Sequence, residues 1–165
     1  MKFFSVWFGL ANKYYWFTVV EEVDKSTPKF VEVIKSGRFT FTKQSGTTAA
    51  DMHGSTLALD FFSQRFVDFL KKAGVKNFDA FKLKFAKELS RIGNYYYLEP
   101  KDKLPEKKIK KEPLDISTFS LKDWKGQDLF SLKRTNWIFI SERLKNLIEK
   151  QNFKNIRFRE VIPIL

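Results

Sequence analysis

Two stretches of the chain superpose by a simple slide. Moving "LALDFFSQRFVDFLKKAGVKNFDAF" (residues 57–81) forward by 78 positions sets Ser63-Gln-Arg65 on Ser141-Glu-Arg143. Lys72 then falls on Lys150, and Lys76-Asn77 on Lys154-Asn155. A phrase spoken twice in a short chain must fold twice in the same way, so its local grammar constrains the architecture more than any single motif.

That grammar reads strand, helix, strand. Leu57, Leu59 and Phe61 alternate as one face of a strand, and Ser63 then offers a hydroxyl to an unpaired amide of a first helical turn. Phe66, Phe69, Leu70 and Ala73 recur at helical spacing, Gly74 stands where a left-handed cap is wanted, and Phe81, Leu83 and Phe85 alternate again. The second copy repeats each decision. Trp137 and Phe139 alternate, Ser141 caps, Leu144, Leu147, Ile148 and Gln151 mark the helix face, and Asn152 replaces Gly74. The expected fold is therefore α+β: mixed and antiparallel sheets with two short capped helices, and a strand–helix–strand unit duplicated over about 57–85 and 136–161. In this reading the repeated Ser-x-Arg is a cap, not a catalytic signature.

The first sixty residues read as β-rich. Phe3 to Leu10, Tyr14 to Val20 and Phe30 to Ile34 carry aromatic and β-branched residues, with a turn at Ala11-Asn12-Lys13, and "GRFTFTK" alternates Phe39 and Phe41 with polar residues. Lys43 to Ser55 is small and polar, an exposed loop. "NYYYLEP" before Lys101 reads as a strand. A length of 165 residues with 43% apolar content fits one domain, 1–165, with a β-rich part (1–60) and a basic part (61–165). The opening "MKFFSVWFGLA" is too brief and aromatic for a signal peptide and reads as a strand, and no apolar run is long enough to span a bilayer. A cytoplasmic location is expected. No cysteine is present, so disulfides and cysteine metal sites are excluded.

Positive charge is concentrated. The formal net charge is +12, yet residues 1–60 hold 7 Lys/Arg against 6 Asp/Glu, so the excess lies in 61–165. Lys101, Lys103, Lys107, Lys108, Lys110 and Lys111 form its densest run, read as a solvated loop or an anion-binding strip. Lys and Phe are also what an AT-rich genome writes, so their abundance alone does not mark a nucleic-acid binder. "KYYWF" (13–17) suits a core better than base stacking.

Little here serves an enzyme. His53 is the only histidine, in a polar loop where an ordinary surface residue is expected, and no phosphate loop, nucleophile elbow or zinc motif accompanies it. No catalytic residue, cofactor or metal is expected. Trp124 and Asp128 form a candidate recognition pair, weighed against a buried Trp beside a turn-capping Asp.

The tail resembles a known family. "DIS" (Asp115–Ser117), "WKGQDLF" (Trp124–Phe130) and "IFISERLKNLIEKQNFKNIRFREV" (Ile138–Val161) are similar to the C-terminal half of bacterial immunity proteins encoded beside polymorphic, contact-delivered toxins. "GNYYYLEP" resembles that family's tyrosine-rich strand, so the likeness covers Gly93 to Val161 well and the rest loosely. The resemblance implies an α+β protein that binds a cognate toxin and blocks it without catalysis. The basic balance departs from common acidic inhibitors of nucleases, and implies a toxin with an acidic surface that acts on something other than nucleic acid. The alternative is a nucleic-acid-binding module using the basic, aromatic-rich surface.

Overall fold

Ser63 and Ser141 each open a helix. Their hydroxyls accept from the amides of Phe66 and Leu144, both at 3.2 Å, with the serine backbone extended. The computed structural model describes residues 1–9, 12–21, 30–110 and 116–165. Within these it contains β1 (Phe3–Phe8), β2 (Trp16–Val19), α1 (Phe30–Lys35), β3 (Thr40–Ser45), β4 (Met52–His53), β5 (Phe61–Ser63) and α2 (Gln64–Lys72). There follow β6 (Phe78–Lys82), β7 (Lys84–Phe85), β8 (Tyr95–Pro100), β9 (Lys103–Leu104), β10 (Lys107–Ile109) and β11 (Ile116–Thr118). The chain ends on β12 (Leu129–Leu132), β13 (Ile138–Ser141), α3 (Glu142–Glu149) and β14 (Ile156–Val161). The α+β class and the duplicated unit are as the sequence indicates, and Gly74 and Asn152 take the left-handed conformation at φ +82° and +53°. The expected strand end at Leu10, the turn residue Ala11, Lys111 and the Asp115 of "DIS" lie outside the described residues.

Each copy is a split unit. β5 and β6 lie either side of antiparallel β8, and β13 and β14 lie either side of antiparallel β1. One further strand extends each set, β4 against β5 and β12 against β13, and in the second sheet β9 follows on the far side of β12. The register makes the correspondence residue by residue. Phe3 faces Ser141 as Tyr95 faces Ser63, and Phe8 faces Ile156 as Pro100 faces Phe78. The middle strand of the second unit thus comes from the far end of the chain, while that of the first follows it locally.

The halves share a core and a reciprocal lock. Phe66, Val67 and Leu70 of α2 and Leu144 and Ile148 of α3 meet Phe4, Val6, Ile138 and Ile140 from one sheet and Met52, Phe62 and Leu98 from the other. Each such side chain contributes about 1.5–3 kcal/mol of burial before entropy is subtracted. The Asn77 amide donates to the Leu129 carbonyl at 2.6 Å, and the Asn155 amide donates to the Met52 carbonyl at 2.7 Å. The repeated Lys-Asn therefore ties each helix–strand loop to a strand of the other half, Asn77 to β12 and Asn155 to β4.

Outside this shared core the halves differ. The outer face of β5 and β8 is covered by β2, β3, β7 and α1 around Phe17, Phe41 and Phe61. The outer face of β1, β12 and β13 packs Phe3, Phe130 and Phe139 on Phe119, with Trp124 at the margin. No helix among the described residues is long and apolar enough to cross a membrane.

Four expectations need correction. Residues 30–35 are helical, because Ile34 packs into the outer cluster with Val31 and Val33, and Glu32 pairs with Lys35 one turn on; packing overrides β-propensity. The repeated strand begins at Phe61, not Leu57, since Ala58 adopts φ +54° in a turn that Ser55 closes on Leu59. Lys43–Ser55 is exposed only in its first part: Lys43 to Ala49 faces solvent nearly throughout, whereas Ala50 to Ser55 is buried and contains β4. The lysine run 101–111 carries β9, parallel to β12, and β10, paired with β11.

Candidate functional site

Both Ser-x-Arg motifs are built into one structural triad. Ser63 Oγ donates to Asp51 Oδ1 at 2.7 Å, and Arg65 reaches the same carboxylate at 3.4 Å. Ser141 likewise donates to Asp128, which Arg143 grips through Nε and Nη2. Each aspartate's own carbonyl accepts from the serine backbone amide at 2.9 Å, pinning the start of β4 or β12 to the start of the helix. Burial opposes ionisation of Asp128, but Arg143 and Ser141 outweigh it and hold the carboxyl below its ordinary range. With the serines accepting from the helix and donating to carboxylate, neither hydroxyl is placed as a nucleophile.

Trp124 and Asp128, the candidate recognition pair, are each held by other partners within the fold. The indole N–H of Trp124 donates to Gln127 O at 2.8 Å, and its ring meets Phe3 edge-on at 5.3 Å; Asp128 belongs to the triad. Lys101 pairs with Asp79 and Lys103 with Glu99, whereas Lys107, Lys108 and Lys110 are exposed on or beside β10. The lysines are thus split between structural ion pairs and a solvated hairpin.

His53 is not a surface residue. It is fully buried among Tyr15, Phe17 and Tyr95. Its Nε2 accepts from the Ala50 amide at 3.0 Å and its Nδ1 donates to Tyr15 O at 2.9 Å, which fixes the neutral tautomer. Burial pushes its pKa down to about 4, against weaker upward pulls from these bonds and Asp51. A histidine with both nitrogens engaged and no opening to solvent serves the fold.

A cleft that the sequence did not indicate lies between the halves. About 350 Å³ in volume, it is lined by Trp7, Phe8, Trp16, Leu59, Asp60 and Trp137 among others. Trp137, just before β13, is 40% exposed and meets Trp7 at 5.3 Å. A bulge in β2 sends Phe17 into the core and leaves Trp16 against Phe8 at 5.2 Å. Gly54 makes that approach possible: a Cβ there would lie 2.5 Å from the Trp16 ring. Asp60 has no hydrogen bond or ion pair among the described residues, and burial pushes its carboxyl up to about 7.

The pseudo-symmetry places a second cleft opposite the first. About 500 Å³ in volume, it is lined by Leu57, Tyr97, Glu99, Pro100, Lys103, Arg134 and Asn136 among others. Glu99 and Pro100 occupy the places of Trp7 and Phe8. Here the acid is satisfied from within, since Glu99 accepts from Lys35 at 2.6 Å and from Lys103 at 2.8 Å. Burial works to raise the Glu99 carboxyl, and the two lysines more than offset it.

No protein-family model and no curated protein matches the chain. Among the described residues no three His, Asp or Glu side chains cluster as metal ligands. The cleft went unread because Trp7, Trp16, Asp60 and Trp137 come from four separate parts of the chain. Its one local signal is Trp137, an indole at the margin of an otherwise apolar strand.

Proposed function

We propose that this protein is an immunity protein, which binds a cognate toxin and neutralises it by occlusion without turnover. The observation that carries this reading is the tryptophan cleft: half-exposed indoles set in a rigid frame are the anchors on which protein interfaces spend most of their binding energy. The resemblance over Gly93 to Val161 supports it. So does the employment of Ser63, Ser141 and His53, the side chains most suggestive of chemistry, in holding the fold together. In this reading the protein acts in the cytoplasm of the cell it protects. Its positive surface, including Lys107, Lys108 and Lys110, speeds encounter with a toxin whose surface is acidic.

Co-expression with the toxin encoded beside the gene tests the reading. The expected result is survival of the host and a stoichiometric complex that persists through gel filtration. Failure to protect or to form a complex overturns it. Tight, saturable DNA or RNA binding at physiological salt replaces it with nucleic-acid recognition, because a non-specific phosphate binder releases as salt rises.

A further inference from the structure

We propose that the cleft of Trp7, Trp16, Trp137 and Asp60 is a socket for one basic side chain, arginine or lysine, presented by the partner protein. The inference rests on the immunity reading only for who the partner is; the chemistry of the socket stands on its own residues. Asp60 lines the cleft together with Trp7, Phe8, Trp16 and Trp137, with no cation of the described residues paired to it, although the chain holds 31 Lys and Arg. Among the described residues, Asp60 acts on the phenol of Tyr97, from the adjoining strand.

The opposite cleft shows what the frame does when an acid at this level is meant to be satisfied internally. There Lys35 and Lys103 close on Glu99. In the tryptophan cleft those cations have no counterpart among the described residues, and indoles line the space instead. Aromatic walls and a carboxylate are the two environments that favour a desolvated cation, the first through the ring quadrupole and the second through charge-assisted hydrogen bonds. The guanidinium of arginine, planar and weakly hydrated, uses both at once. The volume accommodates one extended side chain. The indole N–H groups of Trp16 and Trp137 have no acceptor among the described residues, so they are free to donate to carbonyls flanking that residue on the partner. Trp7 is not, because its N–H donates to Ser5 Oγ at 2.6 Å. The net charge of +12 adds selectivity: cations are repelled over most of this surface and admitted where carboxylate and indoles offset the field.

Three of the four tryptophans line the cleft, so intrinsic fluorescence reads its occupancy. The probe is acetyl-Gly-Gly-Arg-Gly-Gly-amide, compared at pH 8 with the same peptide carrying citrulline, which keeps the shape and removes the charge. The arginine peptide is expected to saturate the fluorescence change at least about tenfold more tightly than the citrulline peptide. Asp60→Asn should erase that preference while melting as a folded protein, and Trp137→Ala should weaken both peptides. Equal binding of the two peptides, an absence of saturable change, or a preference retained in Asp60→Asn overturns the socket. The outcome is separable from the immunity reading. Arginine preference without toxin protection breaks the immunity reading alone. Protection undiminished in the Asp60→Asn, Trp137→Ala double variant breaks the socket alone.

Discussion

The two clefts occupy equivalent places in one pseudo-symmetric frame, yet in one the acid is paired by the protein's own lysines and in the other it has no partner among the described residues. On one side Glu99, Lys35 and Lys103 form a partly screened cluster of the kind that costs little and stabilises little. On the other, Trp7 stands where Glu99 does and Asp60 keeps no partner among the described residues. The repeated sequence specifies what the halves share: caps, helix faces, the cross-half asparagines. Function has room to act where the copies diverge. Duplication here supplies a scaffold, and departure from it supplies a surface.

The largest effect is expected where the frame depends on the borrowed strand. Phe3, fully buried in β1, braces the second unit as Tyr95 braces the first. Phe3→Ala should lower unfolding free energy in urea by about 3–5 kcal/mol. A loss below about 1 kcal/mol on that scale would mean the second unit does not need the N-terminal strand.

The clefts themselves should respond with opposite sign. Asp60 has a folded pKa near 7, above its unfolded value, so its contribution is present below about pH 4 and is lost as pH rises through 7. Asp60→Asn removes that loss and should stabilise the protein at pH 8 by up to about 4 kcal/mol, with no such gain at pH 4. Glu99 is held below its ordinary range by Lys103 and Lys35, against burial, so its contribution is present at neutral pH and lost on acidification. Glu99→Gln should therefore destabilise by about 1 kcal/mol at pH 7. Thermal melts across pH with the same sign for both variants would erase the distinction between the clefts.

His53 sharpens the contrast at another equivalent pair, for the matching place in β12 is Phe130. The folded pKa is about 4 and the unfolded value about 6.5, so the unfolded chain takes up the proton first as pH falls. Stability should drop by about 3 kcal/mol between pH 6.5 and 4 and level off below. His53→Phe, imitating the other copy, should flatten that slope even if it lowers stability overall by orphaning the Ala50 amide. A slope that survives belongs to other groups.

The triads should differ in degree. The Asp51 side chain is 8% exposed and also accepts from the Lys154 amide at 2.8 Å, whereas that of Asp128 is 24% exposed. Replacement by alanine should cost about 2–3 kcal/mol at Asp51 and about 1 kcal/mol at Asp128 by chemical denaturation. Equal costs would mean that the Lys154 contact adds nothing.

Much of this frame was legible because it is local. Caps, helix faces and left-handed residues depend on neighbours within a turn, and Ser63, Ser141, Gly74 and Asn152 declare themselves. The triads were not, although half of one was in view as Asp128. Twelve positions separate Asp51 from Ser63, but thirteen separate Asp128 from Ser141. The slide that aligns the serines therefore misses the aspartates by one residue. The small polar residues around His53 suggested exposure because their burial comes from pairing with β5 and contact with β2, which composition does not record. Residues 30–35 were misread because β-branched residues at helical spacing look like a strand until a core is placed beneath them. The cleft was least legible, being assembled from distant segments by pairings that no short window contains.

The central claim is that the repeated residues hold the structure and the divergent cleft does the binding. Ser141 and Trp137 lie four positions apart and separate the two roles. Toxin affinity should be measured by calorimetry for wild type, Ser141→Ala and Trp137→Ala, each at a temperature where it is fully folded. Ser141→Ala is expected to lose about 0.5–2 kcal/mol of stability and keep its affinity; Trp137→Ala is expected to keep most of its stability and lose affinity by about 2 kcal/mol or more, a factor of about thirty. Affinity lost in Ser141→Ala and retained in Trp137→Ala would contradict the account.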